Sequence, residues 1–320
     1  MRPDVMCVLL RQLMLIAVLV PVSLAQVKPA NPGAKEKSKK ARTRQLLIID
    51  AHTHTSFSGK LDKSRGVSIT QQQYFDEWRR AGVVAAVAHG HSGESSPDLR
   101  RQNVMTCIGI DARPDATLIE EGLRSGKFGC IKVYLGYVHQ YAYDKNYEPA
   151  YELAARYDVP VVFHTGDTDS TRAKLKFADP LTIDEVAVDH PKVRFVIAHC
   201  GNPWIESAAE VAYKNPNVYL DGSALLIGNL DRMPRAKVDA YVVRPLAWVF
   251  GYLEDPTKLM FGSDWPLTDI NSYVKAFKRA IPREHWKSVF HDNAARVFKL
   301  HKLQESNSPG SLNSKSGASR

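Results

Sequence analysis

Five side chains in this 320-residue chain share one context: each closes or follows an apolar run of strand length. His52 and His54 end Leu46–His54 (LLIIDAHTH), and His164 falls in Pro160–Gly166 (PVVFHTG). His199 falls in Arg194–Gly201 (RFVIAHCG) and Asp264 in Leu259–Pro266 (LMFGSDWP). Imidazole nitrogens and carboxylate oxygens are the donors a divalent cation such as zinc takes. Strand side chains alternate faces, so His52 and His54 point the same way, with Asp50 behind them and Cα atoms about 6.5–7 Å apart. Two imidazoles at that spacing can reach one ion through Zn–N bonds of roughly 2.0–2.1 Å. If His164 points inward, so does Val162, while Val161 and Phe163 face outward. An inward Asp264 leaves the small Gly262 beside it.

Taken singly, each residue has a plainer role. A histidine after an apolar strand is commonly a hydrogen-bonded core residue, and an Asp in Gly-Ser-Asp-Trp-Pro suits a turn or a helix cap. Four such strand ends in one chain argue for a metal-dependent enzyme instead. A second pair, His89 and His91, ends the second strand-like run and is the rival, but its Gly- and Ser-rich stretch (AHGHSGESS) reads as a flexible loop, a weaker place for a metal ligand.

Something must bring residues two hundred positions apart to one point. Eight strand-like runs alternate with helical patterns between residues 46 and 300. They are Leu46–His54, Gly82–Gly90, Asn103–Arg113, Gly129–Tyr137, Pro160–Gly166, Arg194–Gly201, Val218–Ala224 and Leu259–Pro266. The helix patterns include Thr70–Ala81, Asp115–Ser125, Tyr147–Tyr157, Thr182–His190, Ile205–Lys214, Val238–Tyr252 and Ile270–Ala280, with a short one near Pro97–Gln102. About 255 residues in eight such units match an α/β fold of the (β/α)8 TIM-barrel type, whose active sites lie at the C-terminal rim of the strands. A doubly wound open sheet is the runner-up, but no Gly-rich dinucleotide fingerprint supports it. Glu284–Leu300 reads as an extra helix sealing the bottom or side of a single-domain barrel.

The chain resembles the amidohydrolase superfamily, and within it the branch called amidohydrolase family 2. The matching segments are Ile49–His54, Cys130–Tyr134, Val159–Gly166, Val196–Gly201, Asn217–Asp221, Phe261–Pro266 and Asp292–Phe298. The resemblance implies one divalent metal, usually zinc, bound by His52, His54, His164 and Asp264. It also implies that Asp264 is the general base for an activated water and that His199 polarises the substrate's carbonyl. Asp50 and Asp221 are candidates to orient the imidazoles. Lys132 is expected inside the pocket, contacting an acidic or carbonyl group of the substrate, rather than as a bridging ligand between two ions. The expected reaction is hydrolysis of a small ester, lactone or amide. Non-oxidative decarboxylation of an aromatic or unsaturated acid is the alternative, with Lys132, Arg172 or Lys174 available for a carboxylate. A metal-binding protein without turnover fits less well, since it needs neither Asp264 nor His199. Loops Thr165–Asp179 and Ala224–Arg235 would shape the pocket, and Tyr134, Tyr137, Trp204 and Trp265 are aromatic candidates to line it.

The formal charge of +9 does not make this a nucleic-acid binder. Residues 46–300 carry 31 basic and 31 acidic side chains, and the excess lies in residues 1–45 (+7) and 301–320 (+2). A small-molecule substrate is therefore the expected partner. Residues 1–25 have a basic start, an apolar stretch at Leu13–Val22 and small residues at Ser23–Ala25, so they read as a signal peptide cleaved after Ala25. The stretch is about half the roughly 20 residues a membrane span needs, so export to the periplasm or beyond is expected without lasting membrane insertion. Residues 26–45 read as a flexible basic linker and 301–320 as a flexible tail. Cys7 would leave with the signal; the odd set Cys107, Cys130 and Cys200 is no disulfide framework, and buried, inert thiols are the expected state, with one bridge in an oxidising compartment as the alternative.

Overall fold

The computed structural model describes residues 46–57, 70–93 and 96–300. The expected signal peptide, linker and C-terminal tail lie outside them. Eight parallel strands pair in sequence order: β1 (Ile48–Thr53), β2 (Val83–His89), β3 (Val104–Ile110), β4 (Cys130–Val133), β5 (Val161–Phe163), β6 (Phe195–Ile197), β7 (Val218–Asp221) and β8 (Leu259–Met260). Backbone hydrogen bonds join the last strand to the first: Ala51 N–H to Phe261 (3.0 Å), Asp264 N–H to His52 (2.7 Å) and His54 N–H to Trp265 (2.7 Å). The ring is thus the expected TIM barrel. Its helices are α1 (Gln71–Ala81), α2 (Ala116–Arg124), α3 (Leu135–Val138), α4 (Glu148–Tyr157), α5 (Thr182–Asp189), α6 (Ile205–Lys214), α7 (Arg235–Val238), α8 (Arg244–Leu253), α9 (Ile270–Ala280) and α10 (Asn293–Val297). No helix among the described residues is long and apolar enough to cross a membrane.

Local chemistry sets the helix ends. Thr70 and Gln73 cap the start of α1 reciprocally, and Gly82 ends it in the left-handed conformation at φ 83°. The Asp115 and Asp269 carboxylates accept the first free N–H groups of α2 and α9. Strand residues divide by alternation into two cores. Ile48, Ile131, Val133, Val161, Phe163 and Leu220 face the helices. Ile49, Ala51, Ala85, Val87, Val162, Val196 and Met260 fill the barrel.

The C-terminal segment completes that inner core. The expected single helix over Glu284–Leu300 is instead a 3-10 turn, a π turn and α10. Ala294, Val297, Phe298 and Leu300 pack on the inward strand residues, and Asn293 Nδ2 donates to the Leu259 carbonyl at 2.8 Å. The break lets this segment turn inward and stopper the barrel.

Cys107 and Cys130 are a correction to the reading of inert thiols: they form a disulfide. Both point into the barrel from register-paired positions of β3 and β4, which is why two cysteines 23 residues apart meet. Cys200 is a buried free thiol, as expected. Removing a cross-link of this loop size costs ~2–4 kcal/mol. Urea unfolding with and without a thiol reductant should differ by that amount, and equal curves would mean the bond adds no stability.

Candidate metal and active site

β1 does not keep the simple alternation that places Asp50, His52 and His54 on one face. A bulge between Asp50 and Thr53 shifts its register against β2. Ile49 and Ala51, one position out of phase with the histidines, therefore fill the barrel while His52 and His54 still reach the rim. Asp50 braces the neighbouring backbone instead. Its carboxylate accepts from Ser263 N at 2.8 Å, Ser263 Oγ at 2.5 Å and His52 N at 3.2 Å. Burial above all pushes its pKa up to about 7, against the pull of the bonds to Ser263 and His52. Gly262 lies against His52: a Cβ there would sit 2.9 Å from the His52 Cβ.

Asp264 and His199 reach the site by turns rather than strand pleat. Asp264 (φ 59°), His199 (φ 59°) and Cys200 (φ 47°) all adopt left-handed backbone, which Asp and His tolerate better than most residues. Strands β6 and β8 accordingly stop at Ile197 and Met260, short of the lengths read from sequence. His164 follows β5 with Val162 inward and Val161 and Phe163 outward, as the alternation requires.

His52, His199 and Asp264 each place a ligand atom within 4.8 Å of the other two. The other two expected residues touch this triangle. His54 Nε2 lies 3.1 Å from Asp264 Oδ1, and His164 Nδ1 lies 3.2 Å from His199 Nε2.

Each imidazole has one nitrogen tied to a group that can only accept. His52 Nδ1–H donates to Asp221 Oδ2 (2.9 Å) and His54 Nδ1–H to the His89 carbonyl (2.8 Å). His164 Nε2–H donates to the Asp167 carbonyl (2.8 Å). His199 Nδ1–H faces the Ser223 carbonyl (3.3 Å) and Ser223 Oγ (2.9 Å), whose own proton goes to Asp221. These partners fix the tautomers and leave a lone pair on His52 Nε2, His54 Nε2, His164 Nδ1 and His199 Nε2.

Two facing lone pairs at 3.2 Å repel unless a cation lies between them. Ligands about 2.0–2.1 Å from a zinc ion stand ~3.0–3.4 Å apart at octahedral to tetrahedral angles. The His164–His199 and His54–Asp264 contacts have that length. Asp264 Oδ1 is buried without a hydrogen-bond partner, and its neighbour His52 Nε2 is 3.7 Å away. The donor set fits a divalent metal.

Burial lowers the pKa of His52, His164 and His199, aided by the Lys132 charge, so these imidazoles stay neutral at neutral pH. Burial raises the Asp264 carboxyl, and only a proton or positive charge from the imidazoles beside it, His54 first, draws it below the usual carboxylate range. Neutral rings with lone pairs toward Oδ1 supply neither, so this carboxylate calls for a bound cation.

Lys132 departs from its expected place. It is fully buried, its Nζ has no hydrogen-bond partner, and it is not among the residues lining the cavity beside Asp264. Burial brings its pKa down to about 8 against the pull of Asp221 and Asp264. Its charge bears on Asp221, Asp264 and the rim imidazoles. Arg172 and Lys174 do not line the cavity either.

His89, within the second expected strand, is the last residue of β2 and 2 % exposed. It follows Ala85 and Val87 on the inward side, a period-two signal the sequence carries. Its ring lies 4.1 Å from His52, and its Nε2–H donates to the Ala51 carbonyl at 3.1 Å.

The cavity holds about 240 Å³. Besides the metal-site residues it is lined by the polar Tyr137, Asp167, Asp169 and Asn202 and by an apolar group, Leu225–Ile227 with Leu267. Both loops expected to shape the pocket contribute. Trp265 is 1 % exposed and packs on Tyr74 and Phe57. A larger cleft of about 1240 Å³ lies on the flank of β3 and α2, where a single 3-10 turn (Arg100–Gln102) takes the place of a β2–β3 helix. None of the residues around Asp264 lines it, so size does not identify the functional cavity.

Barrel, rim and donor set together define a TIM-barrel protein equipped to hold a metal ion. The amidohydrolase family model (Amidohydro_2) matches residues 49–300, and the chain belongs to that family. No curated protein matches its sequence. Among solved structures it is similar to an uncharacterised TIM-barrel protein from Bordetella bronchiseptica, at 18 % identity over 80 % of this chain and 100 % of that one, TM-score 0.62. A probable 2-pyrone-4,6-dicarboxylic acid hydrolase from Acinetobacter baumannii is 12 % identical over 80 % and 99 %, TM-score 0.56. A dihydroxybenzoic acid decarboxylase from Polaromonas sp. JS666, with bound manganese, is 15 % identical over 80 % and 97 %, TM-score 0.56. At these identities the likeness is one of fold.

Proposed function

We propose that the chain is a metal-dependent hydrolase of a small ester, lactone or amide. His52, His54, His164 and Asp264 would hold one divalent ion, with zinc the first candidate. The observation that carries this is the buried Asp264 carboxylate beside four imidazole lone pairs, on the wall of a small cavity. A divalent ion there supplies Lewis acidity, polarising a carbonyl oxygen and acidifying water. Asp264 Oδ1 accepts the proton of the attacking water and returns it to the leaving group. The Ser223 carbonyl fixes Nδ1–H on His199, so Nε2 is an acceptor. His199 thus acts as a further ligand or proton acceptor, rather than donating a hydrogen bond to the substrate's carbonyl as the resemblance implied. The apolar lining excludes water from the substrate.

Decarboxylation of an aromatic acid is the second reading, since structural neighbours include both a hydrolase and decarboxylases. Hydrolysis is preferred because no Lys or Arg among the described residues lines the cavity to take a carboxylate. Elemental analysis should find about one zinc-like ion per chain. Incubation with lactones, esters, amides and aromatic acids should give hydrolysis products without CO2. Release of CO2 from an aromatic acid, with no hydrolysis, would replace this reading by the second.

The same chain is read as exported, with cleavage after Ala25. The Cys107–Cys130 bond supports an oxidising compartment. N-terminal sequencing of the mature protein should begin at Gln26, and a start at Met1 in a soluble fraction would refute export.

A further inference from the structure

The mouth of the cavity carries more information than its metal-binding end. Asp167 and Asp169 line it together with Tyr137 and Leu225–Ile227. The segment that bears them is pinned at every step. Gly166 N–H donates to Ala178 and Asp167 N–H to the Asn202 carbonyl, each at 2.8 Å. The Asp167 carbonyl receives His164 Nε2–H, and Asp169 N–H donates to the Tyr137 hydroxyl at 3.0 Å. Gly166 has φ 82°, and a Cβ there would sit 2.0 Å from the Asn202 carbonyl oxygen, so only glycine lets the loop run this close. These bonds fix the backbone that carries the two aspartates, whose exposed side chains stand at the cavity.

Their charge is not cancelled nearby. Among the described residues the Asp167 carboxylate accepts only its neighbour's Thr168 N–H at 2.9 Å, and neither aspartate has an ion pair. With burial, both carboxylates hold the Tyr137 hydroxyl above its usual pKa. The Lys132 charge bears on Asp221 and Asp264. Deeper in the same cavity, Asp264 Oδ1 is a buried oxygen without a hydrogen-bond partner, which marks the space as one built to receive a ligand.

We infer that the site selects a small cationic substrate, an amine-bearing ester or amide whose ammonium group is received by Asp167 and Asp169 while its apolar part lies along Leu225–Ile227. Anionic substrates, such as the dicarboxylic acid named for one structural neighbour, are repelled at the mouth. This rests on reading the cavity as the substrate site of a hydrolase. Electrostatic selection of this kind uses fixed charges facing the remote end of the ligand and leaves the reacting end alike for all substrates.

Three benzamides that differ only at the para position test it: 4-(aminomethyl)benzamide, 4-methylbenzamide and 4-carbamoylbenzoate. Calorimetry on the full-length, metal-loaded protein gives the three Kd values. The cation is expected to bind about tenfold more tightly than the neutral amide, and the anion more weakly than either. Asp169→Asn, and more so the Asp167→Asn/Asp169→Asn pair, should collapse the cation-to-neutral ratio to within about threefold. Tightest binding of the anion, a ratio unaltered in the double variant, or no binding of any benzamide would each overturn the inference. Whether the neutral amide is cleaved is scored separately and bears on the hydrolase reading alone.

Discussion

Asp264→Asn is expected to lower kcat by ~10³-fold or more, in line with loss of a positioned general base, with the fold intact. Asparagine has the shape of aspartate, and the backbone bond from residue 264 N–H to the His52 carbonyl at 2.7 Å needs no side chain. What changes is chemistry. In the wild type the carboxylate faces His54, 3.1 Å from Oδ1, and the imidazoles of His52 and His199. A neutral amide cannot take a proton from water, and it places an N–H₂ group or a weaker oxygen against His54 Nε2. Rates on whichever ester or amide the wild type cleaves, set beside circular dichroism and metal content, separate the effects. Full activity in a variant that still binds its metal would remove Asp264 from the chemistry.

The barrel was legible in the chain because buried parallel strands announce themselves as apolar runs, and eight of them leave few other folds. His164 was legible in detail, since β5 is regular and its inward partner Val162 fixes the phase. Regularity is also where the reading failed. In β1 a bulge lies between Asp50 and Thr53, and nothing in Asp-Ala-His-Thr marks an extra residue. His199 and Asp264 depend on left-handed φ values that no pleat rule yields.

His89 is legible as the end of the Gly82–Gly90 run, and the loop character of the Gly and Ser beyond it starts only after this last inward residue. The disulfide needed pairing information. Cys107 and Cys130 become partners only once the β3–β4 register is known. Elements defined by one strand's own pattern were recoverable, and those defined by a neighbour's position were not.

Asp221 is where neighbour and pattern meet, and its replacement should reach furthest beyond its own contacts. The carboxylate is fully buried and accepts from four groups: His52 Nδ1 at 2.9 Å through Oδ2, and His199 N (3.2 Å), Ser223 N (3.1 Å) and Ser223 Oγ through Oδ1. All four donate, so both oxygens must accept. An asparagine in its place would satisfy one side only. With its oxygen toward His52, its N–H₂ group meets two backbone N–H groups. Reversed, it meets His52 Nδ1–H, and the ring must switch tautomer and lose the Nε2 lone pair. In the first case the Ser223 proton, which kept His199 in its Nδ1–H form, loses its acceptor; in the second His52 loses its tautomer, so either way one histidine of the site is disturbed. Asp221→Asn is therefore expected to weaken metal binding by about 10–100-fold. It should also cost ~1–3 kcal/mol of stability through buried donors left unpaired. Competition against a chelator of known affinity measures the first, and urea unfolding of the metal-free protein the second. Wild-type metal affinity in the variant would show that the ligand imidazoles hold their tautomers without Asp221.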